Sequence, residues 1–364
     1  MKIVNVVGTR PNFMKIAPII RAMNNDERIE HILVHTGQHY DAKMSNTFFD
    51  ELKIPTPDVY LEVGSDSHAR QTAKIMMAFE KVCEDFMPDY ILVVGDVNST
   101  MACSLVASKM NIGVIHVEAG IRSGDRDMPE EINRLVTDAL ADYLLPPSSD
   151  AVHNLKSEGH HHEKIEMVGN IMIDTLKYAE EDIQSSKILS ELGVKPNEYV
   201  TLTMHRPSNT DTEIVLREVF EAIDYVQEKI PVVFPMHPRT KKMINQFGLQ
   251  DMINKMSNLI TTEPLGYFDF GKLTSKSKFV ITDSGGIQEE TTIYGIPCIT
   301  IRKNTERPIT ISKGTNKIVG NNKYAIIECA DQILQGQWKK GEIPKYWDGK
   351  TAERILQFIQ EKLI

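Results

Sequence analysis

Short apolar runs rich in β-branched residues recur along this chain, and each stops abruptly at a glycine, a charged residue or a hydroxyl. Five stand out: VVGTRPNFMK (6–15), YILVVGD (90–96), VIHVEAG (114–120), VTLTMHR (200–206) and VITDSGGIQEE (280–290). An apolar run of this length without polar alternation is the pattern of a strand buried on both faces, as in a parallel sheet. In open α/β sheets ligands bind beyond the carboxyl ends of the strands. The residues that end these runs therefore place the chemistry of the chain in one crevice.

Between the runs lie stretches of helical periodicity, at about 15–25, 42–52, 68–86, 98–110 and 129–141 in the first half. Strand-like segments at 3–7, 31–36, 90–95 and 113–118 alternate with them, which predicts βαβ units and a parallel sheet covered on both faces. After a polar, helical link near 174–192 the pattern restarts. Strands are expected at 199–205, 232–237, 259–265, 279–285 and 298–302, with helices at 211–229, 239–247 and 286–294. A chain of 364 residues exceeds one typical core. The expected fold is α/β with two Rossmann-like domains, 1–170 and 171–347. The closing segment 348–364, amphipathic through Ile355, Leu356, Ile359 and Leu363, is expected to return to the first.

Composition narrows the function classes. A formal net charge of −9 argues against a general nucleic-acid or membrane-surface binder but allows a local cationic pocket for phosphates. The opening MKIVNVVGTR reads as a buried strand and a turn rather than a signal peptide, and no apolar stretch is long enough to span a bilayer. Cys83, Cys103, Cys298 and Cys329 lack any CxxC spacing and read as reduced thiols, so the cytoplasm is the expected compartment.

Arg10 and Lys15 follow Gly8 at a strand-to-helix turn, where two cations and free backbone N–H groups make a phosphate site; a solvated pair is the alternative. Ser284, Gly285 and Gly286 form a small-residue turn at a helix N-terminus suited to a diphosphate, and capping alone would not need two glycines. Asp96, Glu118 and His205 end three strands, and Glu130 and Arg134 open a helix behind Pro129. Several carboxylates and a histidine together allow a general base and a general acid. His237 is either catalytic or a hydrogen-bonded turn. His160, His161 and His162 fall in a polar loop, and consecutive side chains diverge too much for a metal site. No metal ligand cluster or dinucleotide fingerprint is visible, so neither a metal nor a nicotinamide cofactor is expected.

Read in order, GTRPxxxK, TGQH (36–39), GDVNST, HVEAGIRS, PEEINR, VGN, HR, HPR, SGGIQEE and TERP make the chain resemble the non-hydrolysing UDP-N-acetylglucosamine 2-epimerases from residue 3 to the closing helix. The resemblance implies a glycosyltransferase-B fold, two Rossmann-like domains facing across a cleft, and a homodimer. It implies interconversion of UDP-GlcNAc and UDP-ManNAc by anti elimination of UDP through 2-acetamidoglucal and re-addition, in service of polysaccharide biosynthesis. It further implies that Arg10, Lys15, His205, Arg307 and the Ser284–Gly285–Gly286 turn hold the phosphates, Glu290 the ribose and Phe270 the uracil. Asp96, Glu118 and Glu130 would share proton transfer and sugar contacts, with Arg134 also at the substrate.

SGDRDMPEEINR is shorter than in many bacterial members, which leaves a regulatory UDP-GlcNAc site open. Gln38 and His39 are kept, while the residues after them vary. A 2-epimerase of a related substrate such as a UDP-diacetamido-uronic acid, and a glycosyltransferase of the same fold, stand as alternatives. A hydrolysing 2-epimerase is set apart by its opening, which tends to read GTRAEY where this chain has GTRPNF.

Overall fold

The computed structural model describes residues 1–38 and 55–364, so the expected helix at 42–52 and His39 lie outside the described residues. Two compact units are formed, one from Met1–Tyr178 with Lys345–Ile364 and one from Ala179–Pro344.

The first unit is built on a six-stranded parallel sheet: β1 (Lys2–Val7), β2 (Glu30–His35), β3 (Val59–Tyr60), β4 (Tyr90–Val94), β5 (Gly113–Val117) and β6 (Tyr143–Leu145), in the order β3-β2-β1-β4-β5-β6. The chain starts in the middle and winds outward in both directions, so the strand order reverses between β1 and β4, where a crevice opens past the strand ends. Ile3, Val4, Ile91, Leu92, Val114 and Ile115 are wholly buried, as expected of strands covered on both faces.

The second unit repeats this winding with β7 (Val200–Thr203), β8 (Val232–Pro235), β9 (Leu259–Thr262), β10 (Phe279–Thr282), β11 (Cys298–Thr300) and β12 (Asn316–Ile318), in the order β12-β11-β10-β7-β8-β9. Its reversal point lies between β7 and β10. A core of Leu202, Val219, Phe220, Phe234 and Ile281 packs beneath it.

Four local devices shape the first unit. Helix Arg10–Met23 begins five residues before the expected start, because Pro11 sits in its first turn, where a missing N–H costs no hydrogen bond. Pro18, inside the same helix, cannot donate to the Met14 carbonyl; the Thr175 hydroxyl donates to it instead. Near the other end of the chain, helix Thr351–Lys362 is capped by Asp174, whose carboxylate accepts from the N–H groups of Thr351 and Ala352 at 3.1 and 2.7 Å. Trp347, buried, donates from its indole to the Pro147 carbonyl. These contacts hold the last segment on the first unit.

The structure differs from the expectations in several elements. Strands β3, β6 and β12 are two or three residues long and carry no period that sequence can register. Helices Tyr267–Ser275 and Lys323–Leu334 lie outside the expected elements, and the single helical link near 174–192 is three helices, Ile171–Tyr178, Glu180–Ser185 and Ile188–Glu191. Among the described residues no helix is long and apolar enough to cross a membrane.

Candidate active site

At the reversal point of the first unit, Gly8 and Thr9 turn the chain from β1 into helix Arg10–Met23. A Cβ on Gly8 would run into the Ser99 side chain, so this turn needs glycine for close approach. The Asn12 side chain accepts from the N–H of Thr9 at 3.1 Å and donates to the Val94 carbonyl at 2.9 Å, which ties the helix start to the end of β4. Arg10 is exposed in the first turn of this helix, and Lys15 lies one turn further in and is buried.

The Lys15 ammonium meets the Glu118 carboxylate, and both side chains are almost wholly enclosed. Gly95 makes room for them, since a Cβ there would come within 2.9 Å of Lys15 Nζ and 3.3 Å of Glu118 Oε2. Glu118 itself has φ +70°, in the left-handed region that a residue with a side chain enters only at a cost of about 1–3 kcal/mol. Its N–H donates to the Leu145 carbonyl at 3.1 Å. The strained turn aims the carboxylate back toward the strand ends and Lys15.

Asp96, just past β4, receives Arg134 Nε at 3.0 Å and Nη2 at 2.6 Å, both on Oδ2. Arg134 is buried in helix Pro129–Leu140, and its other Nη lies 2.6 Å from Glu131. Glu131 also accepts from the N–H groups of Ser123 and Gly124 at 2.9 and 2.8 Å. Burial pushes the Glu131 carboxyl up, but these donors and Arg134 outweigh it and hold the group below its usual range. Asp96, Arg134 and Glu131 therefore form one chain of charges, and Glu118 with Lys15 forms another at the next strand. Glu130 is half-buried in the first turn of the helix, and among the described residues no hydrogen bond or ion pair engages it. The residue that enters the network is its neighbour Glu131, which the sequence reading did not single out.

At the reversal point of the second unit, Asp283 follows β10 and is fully buried. It accepts from the N–H of His205 at 2.9 Å, from the N–H of Arg206 at 2.8 Å and from the Asn209 amide at 3.1 Å, and His205 Nδ1 lies 2.9 Å away. Burial raises its pKa, but the His205 side chain and these backbone donors more than offset that and leave it lowered. Asp283 is a second residue missed from sequence, although it stands inside the SGG block. It fixes the His205 ring with Nδ1 toward the protein.

Ser284 occupies the N-cap position of helix Gly285–Tyr294, and its side chain makes no capping hydrogen bond. Neither Gly285 nor Gly286 has a left-handed φ, a Cβ on Gly286 would meet nothing within 4 Å, and one on Gly285 only Arg307 and Glu306 atoms at 3.8 Å. The fold itself does not demand these glycines. What they leave is a bare helix N-terminus with partial positive charge and unused N–H groups, the arrangement that receives a phosphate.

Arg307 lies beside this turn and donates from Nε to Glu289 at 2.8 Å. Glu290, next in sequence, is buried, and desolvation together with the neighbouring Glu289 pushes its pKa to about 8. Tyr267 and Tyr294 border the same carboxyl, and burial and its charge raise both phenols. Phe270 is half-buried on helix Tyr267–Ser275.

His237 proves to be a turn residue: its Nδ1 accepts from the N–H of Arg239 at 3.1 Å and caps helix Pro238–Gln246. Its ring lies 5.5 Å from that of His205, and burial, then His205, lowers its pKa. Gln38 is buried and accepts from the N–H and hydroxyl of Ser99 at 3.1 and 2.7 Å. His161 and His162 stack at 4.7 Å between ring centroids, with His161 largely exposed.

Residues 21–360 match the family described as UDP-N-acetylglucosamine 2-epimerase. The chain is 41% identical over 367 residues to a UDP-N-acetylglucosamine 2-epimerase of Methanocaldococcus jannaschii, with 99% of each chain covered. It is 37% identical over 363 residues to a UDP-2,3-diacetamido-2,3-dideoxy-D-glucuronate 2-epimerase of Pseudomonas aeruginosa, again with 99% of each covered. Among solved structures, the M. jannaschii UDP-GlcNAc 2-epimerase in complex with UDP-GlcNAc and UDP superposes with a TM-score of 0.88 at 39% identity, covering 99% of both chains. The Neisseria meningitidis UDP-GlcNAc 2-epimerase bound to UDP-GlcNAc gives 0.88 at 30% identity, covering 100% of both.

Proposed function

The chain belongs to the UDP-N-acetylglucosamine 2-epimerase family, a family of isomerases, and on that premise we propose that it interconverts UDP-GlcNAc and UDP-ManNAc without hydrolysis. A base takes the C2 proton, the electron pair forms the C1–C2 double bond, and the C1–O bond breaks to release UDP. The 2-acetamidoglucal so formed is then protonated at C2 on the opposite face as a UDP oxygen re-attacks C1. UDP must stay bound throughout.

The observation that carries this reading is a pair of carboxylates, Asp96 and Glu118, at the ends of the adjacent strands β4 and β5, each facing its own buried cation. Two acidic groups with separate environments can serve opposite protonation steps. In this assignment Asp96, Glu118 and Glu130 share proton transfer, and Arg134 holds Asp96 and the sugar. The leaving diphosphate is stabilised by Arg10, Lys15, His205 and Arg307 and by the bare helix start at Ser284–Gly286, because removing a weakly acidic proton is feasible only if the departing charge is neutralised. Glu290 takes the ribose hydroxyls and Phe270 the uracil.

A second reading has a specific observation behind it: the P. aeruginosa relative named for a diacetamido-glucuronate covers nearly the whole chain. The same carboxylates would serve that substrate, whose extra carboxylate needs a cation near the sugar.

Proton NMR of the protein with UDP-GlcNAc in D2O tests the proposal. Deuterium at C2 together with UDP-ManNAc signals, without free ManNAc, is the expected result. Exchange seen only with the diacetamido-uronate substrate would move the assignment to the second reading.

Arg10→Ala is expected to weaken UDP binding about ten- to a hundredfold, since a charge-assisted contact to phosphate contributes roughly 1.5–3 kcal/mol. Titration calorimetry with UDP checks this, and an unchanged affinity would remove Arg10 from the phosphate site.

A further inference from the structure

Beneath the carboxylates of the first unit lies a buried group that the proposed chemistry does not use. His116, on β5 two residues before Glu118, is wholly buried, as is Asp138 on helix Pro129–Leu140. His116 Nε2 lies 2.8 Å from the Gly95 carbonyl oxygen, and Nδ1 lies 2.6 Å from Asp138 Oδ1. The other Asp138 oxygen accepts from the Gly120 N–H at 3.0 Å and from Arg122 Nη2 at 2.6 Å.

A carbonyl offers only lone pairs, so Nε2 must carry hydrogen. Burial works against ionisation of Asp138, but His116 and Arg122 outweigh it and hold its pKa below the usual range. The ring is thus held from both sides, Nε2 on the Gly95 carbonyl and Nδ1 on the Asp138 carboxylate.

The two ends of this pair grip different turns. Gly95 supplies the peptide that leads into Asp96, and Gly120 closes the turn that begins at Glu118; both glycines have left-handed φ, +70° and +78°. We infer that the His116–Asp138 pair is a positioning unit that sets the spacing of Asp96 and Glu118, one through the Gly95 carbonyl and the other through the Gly120 N–H. The inference rests on the proton-transfer role assigned to these carboxylates above. Neither His116 nor Asp138 touches the reacting atoms. They act by orientation, where a displacement of about 1 Å can cost a hundredfold in rate.

The test uses the full chain in three variants, His116→Gln, Asp138→Asn and the double substitution, assayed with UDP-GlcNAc. Each single change is expected to lower kcat about ten- to a hundredfold while KM and UDP affinity stay within about threefold. The double variant is expected to be no slower than the slower single one, because the two residues form one unit. Unchanged kcat in folded variants whose only loss is melting temperature would overturn the inference, as would additive losses. Should the variants fail to fold, NMR of the wild-type protein with 15N-labelled histidine decides: hydrogen on His116 Nε2 supports the pair, and a bare Nε2 overturns it. Wild-type protein that incorporates no deuterium at C2 would instead defeat the proton-transfer reading itself, before any variant is compared.

Discussion

Glu118→Gln is expected to lower turnover about 10²–10⁴-fold, the range a positioned acid or base contributes, while UDP affinity stays within about tenfold. The reason is differential: a group that moves a proton at C2 acts in the transition state, and the nucleotide is assigned to other residues. The substitution removes the charge but keeps an amide oxygen to accept from the Lys15 ammonium, which alanine would leave enclosed with no acceptor at all. Removing one partner of a buried ion pair outright costs about 3–5 kcal/mol, so Glu118→Ala is the poorer test, confounding loss of chemistry with loss of fold. The measurement is kcat from the NMR time course alongside calorimetry with UDP. Equal loss of turnover and of UDP affinity would make Glu118 a structural residue.

The strained backbone at Glu118 fits such a role. A residue that enters the left-handed region without being glycine persists only where its surroundings over-determine it, and here the Leu145 carbonyl, Lys15 and the Gly120 turn all fix it. Replacement by glycine would relieve the strain and remove the carboxylate together. Glycine also strips the enclosed Lys15 of its carboxylate, a loss of about 3–5 kcal/mol against about 1–3 kcal/mol of strain relieved, so an inactive Glu118→Gly protein that melts below the wild type but above Glu118→Ala is the companion expectation, with thermal unfolding as the check.

How far the sequence could be read depended on what kind of signal a residue leaves. The five strand-end blocks announced themselves because a buried strand stopping at a polar residue is unusual within a few positions. Those blocks lie at the reversal points of both sheets or, for Glu118, one strand away. Asp283, Glu131, His116 and Asp138 left weaker traces. All are buried polar residues, and for three of them the importance comes from partners far along the chain, such as Asp138 to His116 at 22 residues or Asp283 to His205 at 78. A carboxylate on a helix or at a strand end reads equally well as a cap or a surface charge until the fold brings its partner to it. The PEE pair shows the limit: both glutamates sit in the first turn, and only the structure shows that Glu131 turns inward to Arg134. The short strands β3, β6 and β12 escaped for a different reason, since two or three residues carry no period.

Glu290→Gln is expected to stabilise the ligand-free protein at alkaline pH and to weaken UDP at the same time. The Glu290 carboxyl has an ordinary value of 4.5 and is raised to about 8 in the folded chain, chiefly by burial and then by Glu289. Between these values the folded state keeps a proton that the unfolded chain has lost, so stability falls as pH rises from about 4.5 to about 8 and levels off above that. The accumulated loss is on the order of a few kcal/mol. Glutamine carries no such charge, so the variant should match the wild type near pH 4.5 and exceed it in stability at pH 8.5, as measured by denaturant unfolding at both pH values. A group that costs stability without a ligand is readily understood if it is kept for one, and the ribose hydroxyls assigned to it would give the ionised carboxylate hydrogen-bond donors. At pH 8.5, where the Glu290 carboxylate is ionised, the same variant should accordingly bind UDP about tenfold more weakly, the effect of one hydrogen bond to a charged group. A stability difference that does not change with pH would mean that Glu290 is not held neutral by its surroundings, and an unchanged UDP affinity would take it out of the ribose site.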